Sequence, residues 1–292
     1  MLPAPPTPGL LVFAVIKHPT ILIFDSGLGG LTVFREITKV RPDARFVYVA
    51  DDAMFPYGAL AESVLVARVV ELMDGLVATH RPDLVVIACA TASTRVLPSL
   101  RARWPVAFVG TVPAIKPACA ASTSRRISVL ATPGTVARDY TKALIRDFAG
   151  DCEVTLVGST QLAGLAEAEL AGSPADDAAI VAEIAPCFVS DGDRRTDTVV
   201  LACTHYPLLL ERFMRLAPWP VRFIDPAPAI AQRVVTLIGP AASRHPPGPA
   251  VITFTSGREP GPTLGQTLTR FGLDQADRDL GGRLDERRDV PA

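Results

Sequence analysis

The sequence predicts an α/β protein of doubly wound parallel sheets, built as two similar halves that face each other across a cleft. Three observations carry this. Short apolar runs alternate with longer amphipathic stretches, a βαβ rhythm that implies parallel sheets covered on both faces. Runs such as Leu84–Ala88 are apolar at every position, as strands buried on both faces must be. Two of the runs end alike, in "VVIAC" at Cys89 and "VVLAC" at Cys203, 114 positions apart.

In chain order, the predicted strands are Ile21–Phe24, Phe46–Ala50, Leu84–Ala88, Val106–Gly110, Ile127–Ala131, Glu153–Gly158, Thr198–Ala202, Val221–Ile224 and Val251–Thr255. Predicted helices between them include Thr32–Val40, Ala61–His80, Thr135–Phe148 and Ala175–Val189. Residues 20–113 plus 226–275 are expected to form the first domain and 114–225 the second. Residues 1–19 read as an extension and 276–292 as a charged, Gly-rich flexible tail. Gly239 to Ala250, rich in proline, reads as a loop. Open parallel sheets bind ligands beyond the carboxyl ends of their strands. The informative residues are therefore Asp25-Ser26-Gly27, Asp51-Asp52, Cys89-Ala90-Thr91, Thr111, Thr132, Ser159 and Cys203-Thr204-His205.

Composition narrows the classes. The 292 residues are 49% hydrophobic and 20% charged, with net charge −1. This suits a well-buried core and gives nucleic acid no basic footprint. No apolar run approaches the length of a membrane span. Leu10–Ile16 is apolar, yet prolines precede it and Lys17-His18-Pro19 follow, which does not match a signal peptide. Five cysteines without C-x-x-C spacing argue against a zinc ribbon or a disulfide framework, and fit reduced thiols in the cytoplasm.

Three motifs stand at strand ends. "IFDSGLGGLTV" (Ile23–Val33) is a strand, a Gly-rich turn and a helix start. Thr32 replaces the last glycine of the dinucleotide fingerprint, and no P-loop lysine follows. What is left is a turn whose free N–H groups favour a small anion such as a carboxylate. Asp25 and Ser26 are candidate caps for the helix, and Asp25 is also a candidate proton carrier. In "DDAMFPYG" (Asp51–Gly58), the turn at Pro56-Tyr57-Gly58 could hold a carboxylate through its backbone and the Tyr57 hydroxyl. In "ACTHYP", His205 beside Cys203 can raise the thiolate fraction, the reactive form. A Cys-His hydrolase needs only one nucleophilic cysteine. Two thiols at matching strand ends suit proton removal and return on opposite faces of one carbon.

These motifs, with "ACATAS", "LATPGTV", "IDPA" and "FTSG", occur in the order found in glutamate racemases, and the resemblance covers about residues 20 to 275. It implies two α/β domains related by a pseudo-twofold axis, with the active site between them. It also implies a cofactor-independent, metal-free enzyme whose partner is glutamate and whose product, D-glutamate, serves bacterial peptidoglycan. A homodimer is left open. By this resemblance Cys89 and Cys203 are the catalytic thiols. Asp25 assists the first, and His205 and Glu167 assist the second. Ser26, Pro56, Tyr57, Gly58, Thr91, Thr132, Thr135 and Thr204 match substrate-holding positions, with either Thr132 or Thr135 reaching the cleft.

Two departures stand out. The family pattern Cys-Asn-Thr is here Cys89-Ala90-Thr91, so Ala90 removes an amide from the pocket. A lost hydrogen bond to a charged group is worth about 1.5–3 kcal/mol. This keeps two alternatives open: a related racemase or isomerase acting on another small acid, and a weak or silent homologue. The second departure, Ser159-Thr160 in place of Cys-Pro, is expected to alter a turn more than the chemistry.

Overall fold

The computed structural model describes residues 16–245 and 248–276. The expected tail, most of the expected extension and the middle of the 239–250 loop lie outside the described residues.

Two parallel sheets form the frame. The first takes β1 (Thr20–Asp25), β2 (Arg45–Ala50), β3 (Leu84–Ile87) and β4 (Ala107–Gly110) from the front of the chain. The second takes β5 (Arg126–Ala131), β6 (Glu153–Gly158), β9 (Thr198–Leu201) and β10 (Arg222–Ile224). The chain then returns, and β11 (Ala250–Phe254) and β12 (Leu273–Ala276) extend the first sheet beyond β2. Every pairing within these two sheets is parallel.

Strand order exposes the relation between the halves. The first sheet runs β12-β11-β2-β1-β3-β4 and the second β10-β9-β5-β6. Counted from the first strand of each half, both contain the order 2-1-3-4. The like-ending runs at Cys89 and Cys203 are the third strand of each half, so the repeated sequence motif marks a repeated position. Each sheet buries both faces. One face of the first sheet packs β1 and β2 residues such as Ile23 and Tyr48 against α1 (Leu31–Val40) and α10 (Ala227–Ile238). The other packs Leu22 and Val49 against α2 (Glu62–His80) and α3 (Ala90–Arg103). The second sheet is likewise covered on both faces.

Four segments depart from expectation, among them the edge strand β12, which no predicted strand covers. The helix expected over Thr135–Phe148 is two, α5 (Pro133–Val136) and α6 (Asp139–Phe148). Arg138 is extended between them, and the Thr141 hydroxyl donates to the Thr135 carbonyl at 2.7 Å, closing the break. The helix expected over Ala175–Val189 is α8, limited to Asp177–Ile184 and followed by a 3-10 turn, Ala185–Cys187. Pro186 lacks an N–H and its ring clashes with the carbonyl four residues back, which stops the helix. A small antiparallel hairpin, β7 (Ser190–Asp191) with β8 (Arg194–Arg195), was not foreseen.

Candidate active site

The carboxyl ends of the two sheets meet around a cavity of about 20 Å³. Its lining draws Ser26, Pro56, Tyr57, Gly58, Cys89, Ala90 and Thr91 from the first half, and Thr132, Cys203, Thr204 and His205 from the second. The space admits about one water-sized group. A larger ligand enters only if the walls part.

Asp25 ends β1 and is fully buried, and its Oδ2 accepts from the Gly27 and Gly30 amides at 3.3 and 3.1 Å. The Leu28 amide donates to Glu167 Oε1 at 2.5 Å, and the Gly29 amide lies 3.1 Å from His205 Nε2. The expectation of an open anion-binding turn is therefore corrected. The turn binds carboxylates, but they are the protein's own Asp25 and Glu167, because side chains from both halves converge on the four amides. Nor is the helix capped by Asp25 or Ser26 in the usual sense: the cap residue is Gly30, and no side chain bonds the first helical amides. Close approach explains the glycines. A Cβ at Gly29 would stand 2.7 Å from His205 Cγ, and one at Gly30 2.7 Å from the Tyr48 hydroxyl. Thr32, where the dinucleotide fingerprint wants glycine, shares its hydroxyl between the Gly29 and Thr204 carbonyls at 3.0 and 3.2 Å. It stitches the two halves together.

Cys89 follows β3 and precedes α3. The Ser26 hydroxyl donates to its Sγ at 3.5 Å. Burial, with Asp25 adding to it, pushes the Cys89 thiol up to about 12, against the pull of the Ser26 hydroxyl and the Ala92 amide. Burial likewise raises Asp25, although His205 and the turn amides oppose it. On the other wall Cys203 Sγ lies 3.9 Å from His205 Nδ1, and His205 Nε2 lies 2.9 Å from Glu167 Oε1. Burial works against the imidazolium. The Cys203 and Glu167 side chains outweigh it, and His205 titrates well above the ordinary imidazole range. Burial also disfavours the Glu167 carboxylate, but His205 and the Leu28 amide hold its pKa below the usual value. Nε2 cannot donate to Glu167 and accept from Gly29 at once. The imidazolium donates to Glu167; the neutral ring, with its proton on Nδ1, accepts from Gly29. The ring thus has a partner in either state.

The remaining expected residues fall into place unevenly. Thr204 donates to Asp25 Oδ1 at 3.3 Å. Thr91, Thr132 and Thr135 form a hydroxyl triangle of 3.0, 3.1 and 3.5 Å that spans the halves. Of the two alternatives, Thr132 lines the cavity and fully buried Thr135 stands behind it. The Tyr57 hydroxyl needs correction as a carboxylate ligand. It donates to Asp51 Oδ2 at 2.5 Å, where Arg68 and Thr255 also converge, so only the rest of Tyr57 faces the cavity. Ser159 lies just ahead of α7 (Leu162–Leu170), the helix that carries Glu167, and its hydroxyl accepts from the Leu162 amide at 3.0 Å. Phe55 and Ala163 also line the cavity and were not foreseen. Phe55 lies within the strand-end motif "DDAMFPYG", whereas nothing in the pattern around Ala163 marks it.

A pair of thiols on two walls of one cleft can take a proton from one side of a carbon and return it to the other, the task of a racemase. A profile of the Asp/Glu/Hydantoin racemase family matches residues 32–234. A glutamate racemase of Brucella anthropi is 54% identical over 87% of this chain and 92% of its own length. That of Brucella ovis is 50% identical over 93% and 96%. The crystal structure of Escherichia coli glutamate racemase with L-glutamate and the activator UDP-MurNAc-Ala superimposes with a TM-score of 0.81. It shares 37% identity and covers 89% of this chain and 97% of that one. The chain belongs to the Asp/Glu/Hydantoin racemase family.

Proposed function

We propose that the protein interconverts L- and D-glutamate by a cofactor-independent, two-thiol mechanism, supplying D-glutamate for peptidoglycan precursors. The observation that carries the reading is the placement of Cys89 and Cys203 at the third strand of each half, lining one cavity. Substrate identity leans on the relatives, above all the Escherichia coli enzyme with L-glutamate bound.

The two walls suit different halves of the reaction. With its pKa pushed up to about 12, Cys89 rests as a thiol and serves as the proton donor. Cys203, with its Sγ 3.9 Å from His205 Nδ1, serves as the base that removes the α-proton. Transfer reverses for the other enantiomer, with Asp25 receiving the charge change behind Cys89 and the His205–Glu167 pair receiving it behind Cys203. The α-proton of an amino-acid carboxylate is weakly acidic, so the developing carbanion needs a dry site with fixed dipoles. Closure around about 20 Å³ supplies the first. The leading N–H groups of α3, which have no partner within the helix, supply the second.

The test is deuterium exchange at Cα of L- and D-glutamate in heavy water, with Cys89→Ser and Cys203→Ser beside the parent. Exchange with inversion in the parent and loss of racemisation in each variant are expected. Full racemisation in both variants refutes the two-thiol mechanism. Ala90 favours a second reading, another small acid as substrate, which the same assay on aspartate and other acids decides. Among the described residues no helix is long and apolar enough to cross a membrane, and all five cysteines are free thiols. A cytoplasmic compartment follows from the thiols as part of this proposal. Sedimentation in solution reads whether the chain pairs.

A further inference from the structure

Glu167 is placed with little room to spare. Its Oε1 stands 2.5 Å from the Leu28 amide and 2.9 Å from His205 Nε2, and a Cβ at Gly27 would stand 2.3 Å from it. Hydrogen bonds hold over a narrow range of distance. A small slide of α7, the helix that carries Glu167, would therefore loosen both contacts.

The start of α7 is tied down by Ser159, which stands where the family pattern has cysteine. The Ser159 amide donates to the Ala131 carbonyl at 2.8 Å, carrying the pairing of β6 with β5 one residue further. Its buried hydroxyl accepts from the Leu162 amide at 3.0 Å and donates to Glu183 Oε2 at 2.5 Å. Glu183 stands on α8, and its Oε1 accepts from the Gln161 side chain at 2.9 Å. The two oxygens of one carboxylate thus hold two of the three residues that lead from the sheet into α7. A negative charge beside the first turn also suits the helix dipole. A cysteine at this position would be a poor substitute, because its thiol is a weak donor and a weak acceptor. Ser159, Gln161 and Glu183 lie outside the cavity lining, so any effect they have on the site passes through α7.

We infer that Ser159 and Glu183 are positioning residues: together they set the place of α7 so that Glu167 reaches His205 on its own half and the Leu28 amide on the other. The inference rests on the two-thiol reading and deepens it.

The experiment reads the alkaline limb of kcat/KM for glutamate and, independently of turnover, the His205 imidazole titration by NMR. The proteins are the parent, Ser159→Ala, Glu183→Gln, Glu167→Gln and the double variant Ser159→Ala with Glu167→Gln. Loss of the Ser159 hydroxyl lets Glu167 draw away from His205, so the imidazolium loses part of its partner. The limb and the titration should then move acidward by about half a unit, with kcat/KM down about threefold. Ser159→Ala removes no charge, so the other ionisable groups around the pair, Asp25, Cys203, Tyr48 and Arg258, stay as they are. Glu183→Gln should move both readouts in the same direction. In the Glu167→Gln background, Ser159→Ala should add no further shift. A merely structural serine would lower thermal stability and leave both readouts in place, or would shift them equally with and without the Glu167 carboxylate; either result overturns the inference. Should Ser159→Ala not fold, Glu183→Gln, at a partly exposed side chain, decides by the same shift. Absence of racemisation in the parent refutes the functional reading itself, and the NMR titration then still decides whether Ser159 places Glu167. Racemisation in the parent with limb and titration unmoved in Ser159→Ala refutes this inference alone.

Discussion

Replacing Glu167 by glutamine isolates the charge behind Cys203. Both contacts of the carboxylate, the Leu28 amide at 2.5 Å and His205 Nε2 at 2.9 Å, fall on the single oxygen Oε1. A glutamine with its carbonyl there keeps both geometries and removes only the charge. Hydrogen bonds to an ionised acceptor are roughly twice as strong as neutral ones, so the loss is about 1–2 kcal/mol. That is a factor of about 5–30 in kcat/KM. The pH profile gives a sharper signature. Glu167 favours the charged ring of His205, so removing it lowers the His205 pKa, and the imidazolium is lost at a lower pH than in the parent. About 1.4 kcal/mol corresponds to one pH unit, so the alkaline limb of kcat/KM should move acidward by about one unit. L- and D-glutamate have equal free energies, which forces kcat/KM to fall equally in both directions. The assay is circular dichroism of each enantiomer's racemisation across pH. An unchanged alkaline limb would show that the His205–Glu167 pair takes no part in proton transfer.

Further substitutions probe the frame. Gly29→Ala places a methyl 2.7 Å from His205 Cγ and from its backbone nitrogen, so thermal unfolding should show about 1–3 kcal/mol lost and racemisation should fall with it. Ala90→Asn should lower KM for glutamate by up to about tenfold by restoring an amide to the cavity wall, as steady-state kinetics would read. Asp197 accepts from the Ser122 hydroxyl and from the Thr123 and Ser124 amides at 2.7–2.8 Å, and although partial burial opposes ionisation, these bonds hold its pKa below the usual range. Its folded pKa is depressed, so its stabilisation is complete above the unfolded value of about 3.9 and is lost as pH falls through the folded one. Urea unfolding of Asp197→Asn should accordingly show a flatter acid limb than the parent, and a parallel limb would refute the assignment.

What the sequence shows of this fold is what a periodic pattern can carry. Strands buried on both faces must be apolar throughout, and a cysteine ending such a run is legible as a strand-end residue. The repeat "VVIAC" and "VVLAC" is therefore legible as two halves, and the shared 2-1-3-4 order accounts for it: each of the two cysteines follows the third strand of its half. The misreadings share a different cause. The Gly-rich turn and the Tyr57 hydroxyl were assigned to a ligand from local chemistry, and each is satisfied instead by a residue that local sequence does not bring near: Glu167 and His205 for the turn, and Asp51 with its Arg68 and Thr255 partners for Tyr57. The same convergence accounts for Arg138. Its extended backbone is a flaw in a helix read alone, and it becomes intelligible once Glu62 and the Thr94 carbonyl are seen across the cleft. Polar groups at strand ends can be found in a sequence, but which of them stay free for substrate is decided by partners from the opposite half. In this protein that leaves the turn closed and the Tyr57 hydroxyl occupied.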